Sequence, residues 1–68
     1  MTAKIGDRII VRKPNAVCDI LKVNEAGERE QVRADISSQH QAWEIARGSD
    51  AMVWICDEAS PDRLEPYR

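Results

Sequence analysis

Apolar positions fall into short β-type runs separated by turn-forming residues. Residues 7–12 hold Ile9, Ile10 and Val11 between Arg8 and Arg12; three β-branched residues in a row predict a strand. Pro14-Asn15 ends it, because proline donates nothing to a ladder and Pro-Asn favours a turn. Residues 17–23 predict a second strand, with the apolar alternation slipping between Cys18/Ile20 and Leu21/Val23. Such a slip points to a bulge or sharp bend. Asn24–Glu28 reads as a hairpin loop in which Gly27 takes a positive φ. Residues 29–36 alternate, with Val32, Ala34 and Ile36 on an expected buried face and Gln31, Arg33 and Asp35 on a wet one. Residues 51–56 are apolar throughout, as expected of a strand covered on both faces.

The segment from Ser37 to Gly48 fits two periods. As a helix it has Ser38 at the N-cap, Gln41 three residues on, an Ala42, Ile45, Ala46 stripe and Gly48 as the C-cap. As β structure it has a tight turn at 37–39 and a short strand at 41–46, with Trp43 and Ile45 inward. Local propensity slightly favours the helix. Beyond residue 58, Ser60-Pro61 resembles a helix start and Pro66 stops anything longer. A single helical turn or a loose tail is therefore expected over 59–68, after one domain spanning 1–58.

Composition narrows the function classes. Sixty-eight residues make one domain with a thin core. Hydrophobic residues are 43% and charged residues 32%, with a net charge of −2, which argues against disorder. No window reaches the length of a membrane span and the N-terminus lacks an apolar leader, so a cytoplasmic protein is expected. Cys18 and Cys56 are then expected as buried thiols. With one histidine and no zinc spacing, no metal or cofactor is expected. Gly6, Gly27 and Gly48 match no phosphate-binding loop and read as turn residues.

Four stretches together resemble a family of small actinobacterial proteins catalogued only as a domain of unknown function, with an SH3-like barrel. They are the opening Met1–Arg12, the run Ile20–Gly27, the histidine after a turn at His40, and Gly48-Ser-Asp-Ala-Met-Val53. The loop after the first strand is shorter here, and the family's Arg-Trp pair stands as Arg33-Ala34. The resemblance implies a mainly β fold, a small five-stranded SH3-like barrel with a short C-terminal turn or tail. It tips residues 37–48 towards β. The alternative is α+β, an open β-β-β-α-β sheet with one helix at about 38–47. The resemblance also implies association with the translation machinery or RNA, because one member of that family is a dormancy-associated translation inhibitor.

Candidate chemistry is sparse. His40 and Glu44 share a helix face if that segment is helical, but no nucleophile stands beside them by motif, so no catalytic residue and no enzyme is expected. Trp43 is a candidate partner anchor. Arg8, Arg12, Lys13 and Arg33 form a local basic patch if the first and third strands share a neighbour. Against nucleic acid stands a pI of about 5.3. The expected function is a small non-enzymatic binding module, an adaptor or inhibitor docking another protein through Trp43 and His40. The alternative is an RNA- or ribosome-associated factor using the four cations.

Overall fold

The computed structural model describes residues 2–67. In chain order the elements are β1 (Arg8–Arg12), β2 (Cys18–Val23), β3 (Arg29–Ile36), α1 (Gln39–Ala46), β4 (Val53–Asp57) and β5 (Ser60–Pro66). Single 3-10 turns occupy Pro14–Ala16 and Arg47–Ser49. All five strands join one sheet, ordered β3-β2-β1-β4-β5. β1 lies at its centre, antiparallel to β2 and parallel to β4. A parallel neighbour requires a crossover, and β2, β3 and α1 together supply it.

β1 holds the centre because both of its faces are apolar. Ile10 packs with Cys18, Ile20, Val53 and Ile55 on one face, where Ala42 and Ala46 of α1 are buried against the same layer. Ile9 packs with Val23, Trp54 and Cys56 on the other face, with Leu21 and Leu64 at the margin. Among the described residues, no helix covers this second face. Strand twist coils the sheet over it instead: the Arg29 guanidinium, at the start of β3, donates to the Pro61 carbonyl, at the start of β5, at 2.8 Å. The two edge strands approach without forming a ladder, and the sheet stays open.

The N-terminal turn is fastened to this second core by one carboxylate. Asp7, only 9% exposed, accepts from the Trp54 indole N–H at 2.9 Å and from the Lys4 backbone N–H at 2.9 Å. Its own carbonyl accepts from the Val23 N–H at 3.1 Å, and Gly6, at φ 90°, donates to the Val23 carbonyl at 2.8 Å. One residue thus links the turn, β2 and β4.

Several expectations need correction. The sheet is mainly β with five strands but is not a closed barrel, and residues 39–46 are helical. The Ser38 hydroxyl accepts from the Gln41 N–H at 3.0 Å, which completes a cap that no strand would use. The helix turns Ala42 and Ala46 inward, so Ile45 is partly exposed and Trp43 half-buried. Gly48 does not end the helix; the left-handed residue is Asp50, at φ 59°. Residues 60–66 form an edge strand and not a turn or tail, with Pro66 opposite Trp54 and Glu65 opposite Ile55. Prolines are tolerated at an edge, where their missing donor leaves no ladder bond unmade.

The slip expected in β2 resides in its partner. β2 buries Cys18 and Ile20 on one face and Val23 on the other. β3 absorbs two register shifts opposite it, and Asp35 takes φ 55° while its N–H donates to the Asp19 carboxylate at 3.0 Å. These irregularities, together with the edge position, leave β3 exposed except at Ile36. Val32 and Ala34 are therefore not core residues.

Replacing Trp54 by Phe removes the one side-chain donor to the buried Asp7 carboxylate among the described residues. A loss of about 1–3 kcal/mol is expected from urea unfolding, and an unchanged midpoint would show that Asp7 is satisfied without the indole.

Candidate functional site

β1 and β4 run side by side in the same direction, but the chain leaves them in opposite directions. After β1 it turns to β2; after β4 it turns to β5. Where parallel neighbours diverge at their C-terminal ends, a crevice opens. A cleft of about 720 Å³ occupies this place, bounded by Lys13, Pro14 and Ala16 on one side, Glu58 and Ala59 on another, and Ser37–Gln39 at the start of α1. That volume is within the range of ligand clefts. Cys18 and Ala59 add to its apolar lining.

The Pro14–Ala16 wall is held in a costly conformation. Asn15 and Ala16 both have positive φ, 69° and 60°; asparagine tolerates this region, but for Ala16 it costs about 1–2 kcal/mol. The Lys13 N–H closes the turn on the Val17 carbonyl at 2.7 Å. Strain of this kind collects at binding sites.

The charges around the cleft are mostly engaged. Arg12 and Asp57 stand opposite each other in the parallel ladder, and Arg12 Nε meets Asp57 Oδ1 at 2.8 Å. Lys13 Nζ lies 3.3 Å from both Asp19 and Asp35, and hydrogen bonds to Asp35 and then Asp19 hold its ammonium above the ordinary lysine range. The Glu58 carboxylate has no hydrogen bond or ion pair among the described residues.

Burial pushes the Cys18 thiol up, against the opposing influence of Arg12, and burial likewise pushes Cys56 up. The Ser38 hydroxyl is committed to capping α1.

The residues singled out in the sequence separate into three places. Arg12 and Lys13 line the cleft. His40 and Trp43 sit together on α1, with ring centroids 6.2 Å apart. His40 is exposed and lies 3.5 Å from Glu44. The Trp43 ring has Tyr67 stacked at 6.0 Å and the Arg47 guanidinium over it at 4.6 Å. Arg8 lies at the opposite end of β1 and donates to the Gly6 carbonyl. Arg33 stands across from Ile20 on β3, with no hydrogen bond or ion pair among the described residues. β1 and β3 do share β2 as a neighbour, yet the cations are spread along it and half are neutralised.

Sequence reasoning missed Pro14, Ala16, Glu58 and Ala59 as one surface. The Pro-Asn turn and the Ser38 cap are visible in the sequence, but nothing local brings them together. No family model, curated protein or solved structure matches this chain. Among the described residues, no three His, Cys, Asp or Glu side chains gather as a metal site, and no helix is long and apolar enough to cross a membrane.

Raised thiol pKa values have a signed consequence. As pH rises past the ordinary cysteine value of 9.0, the unfolded chain loses its thiol protons while the folded chain keeps them, so stability falls above about pH 9 and is insensitive to these groups below it. The slope is at most about 1.4 kcal/mol per pH unit for each thiol. Urea midpoints measured from pH 7 to 10.5 are expected to show a steeper fall for the wild type than for the Cys18→Ala, Cys56→Ala double variant. Parallel curves would mean that the thiols ionise equally in both states.

Proposed function

We propose that this protein is a non-catalytic binding module that docks a segment of another protein in the cleft between the ends of β1 and β4. The observation that carries this assignment is the divergence of two parallel strands into a preformed cleft walled by strained backbone. The groups around it favour binding over chemistry. The nearby thiol stays protonated, Ser38, one of the two nearby hydroxyls, caps a helix, and the histidine pairs with Glu44 on the helix.

The neighbouring cations favour a protein over RNA as the partner. A nucleic-acid surface needs free positive charge to displace counterions. Arg12 and Lys13 are held by three carboxylates between them, which leaves little net charge for phosphates. The resemblance to a family of small actinobacterial proteins of unknown function, one member of which is a translation inhibitor, is the support for the RNA reading. Trp43 has a smaller part in this assignment than the sequence suggested, since its ring is already covered in part by Tyr67 and Arg47.

The test is affinity capture from host lysate with and without nuclease, using the wild type and Ala59→Trp, a change at an exposed turn position that fills the cleft. A partner that survives nuclease and 0.5 M salt, and is lost with Ala59→Trp, is expected. Capture abolished by nuclease would replace this assignment with the RNA-associated one. Capture untouched by Ala59→Trp would place the docking surface elsewhere.

A further inference from the structure

We propose, resting on the assignment of the cleft as the docking site, that the segment it accepts is apolar and carries a lysine or arginine that pairs with Glu58. The basis is charge complementarity. Two cations border the cleft, Arg12 and Lys13. Four carboxylates surround the same end of the sheet: Asp57 on Arg12, Asp19 and Asp35 on Lys13, and Glu58. The lining itself is balanced, Arg12 and Lys13 against Asp57 and Glu58, but Arg12 is engaged by Asp57 and Lys13 by Asp19 and Asp35 behind it, so Glu58 is the lining charge left unanswered. Arg63 and Glu65, in the shallow depression beside it, cancel each other.

Engagement matters more than the sum. Both cations already point at carboxylates, so an anionic ligand would have to break an existing pair to be recognised. A cationic ligand breaks nothing, because Glu58 is without a partner among the described residues. The uncharged lining is short: Pro14, Ala16, Cys18 and Ala59 are apolar, beside the polar Ser37–Gln39 at the start of α1. An apolar side chain can cover these atoms while the long methylene stem of a lysine or arginine spans the edge and places its charge in solvent beside Glu58. The Pro14–Ala16 turn, closed by the Lys13 N–H on the Val17 carbonyl, forms one wall of the cleft, and a wall formed before binding lowers the ordering cost of association. The acidic balance of the whole chain, −2, adds a weak attraction of the same sign.

Three blocked peptides test the proposal on the full-length 15N-labelled protein: Ac-Leu-Arg-Leu-NH2, Ac-Leu-Gln-Leu-NH2 and Ac-Leu-Glu-Leu-NH2. Titration followed by amide shifts is expected to move Lys13–Cys18, Ser37–Gln39 and Asp57–Ala59 with the arginine peptide. The glutamine peptide is expected to bind more weakly and the glutamate peptide weakest. Glu58→Gln, at an exposed position, is expected to reduce arginine-peptide affinity about fivefold, the size of a partly exposed ion pair, and to leave amide shifts far from the cleft in place. Equal binding of the three peptides, or an unchanged affinity in Glu58→Gln, would overturn the charge assignment. Shifts absent from the cleft with every peptide would also overturn it. If Ala59→Trp still abolishes capture in that case, the cleft remains the docking site and only the chemistry of the segment is wrong.

Discussion

The hydrogen bond from the Trp54 indole to the Asp7 carboxylate fastens the one parallel step in the sheet. β1 and β4 are 41 residues apart at their closest sequence ends, Arg12 and Val53, and no hairpin holds them in register. Their alignment rests on packing, on ladder bonds, and on this buried contact at the N-terminal end of the pair. Asp7 reaches Val23 of β2 through its carbonyl as well, so β2, β1 and β4 are tied together at one end. At the other end the pair is bridged by Arg12 and Asp57, both largely exposed. An exposed ion pair contributes little. The sheet is thus anchored firmly where β1 and β4 begin and more loosely where they diverge.

That asymmetry positions the cleft. Chains leaving parallel neighbours on opposite sides must separate, and the start of α1 arrives at the same place because the crossover returns from β3 over the sheet. Ala42 and Ala46 allow the helix to lie close on Ile10 and its neighbours. The edges of the sheet are poorly suited to extension by another chain. β3 carries irregular register and many charges, and β5 carries Pro61 and Pro66; both devices discourage edge pairing. With its edges guarded, the molecule offers the cleft as its more distinctive surface.

Local order was largely legible in the sequence, and non-local order was not. Ile9–Val11 and Val53–Cys56 announced buried strands, and Asn24–Glu28 announced its hairpin, with Asn24 Oδ1 accepting from Ala26 and Glu28 at 2.9 Å each. The cap at Ser38 was also visible, but Trp43 and Ile45 satisfy a β alternation as well, so the period alone did not decide residues 39–46. β5 was hidden by Ser60-Pro61, which reads equally as a helix start, and by a stretch in which only Leu64 is a large aliphatic. Parallel pairing leaves no mark on the residues involved, and the cleft depends on it. Arg12 and Lys13 stood out as cations, while their partners Asp57, Asp19 and Asp35 lie up to 45 positions away. The positions of the cations therefore suggested a basic patch where Arg12 and Lys13 are in ion pairs.

The pairing of β1 is the central claim, and interstrand nuclear Overhauser contacts on the labelled protein test it most directly. The account predicts parallel backbone contacts running from Arg8 with Val53 to Arg12 with Asp57, and a backbone ladder of residues 60–66 with β4 and not with β1. Antiparallel contacts between residues 8–12 and 60–66 would instead put β5 between β1 and β4, and would remove the divergence on which the cleft depends.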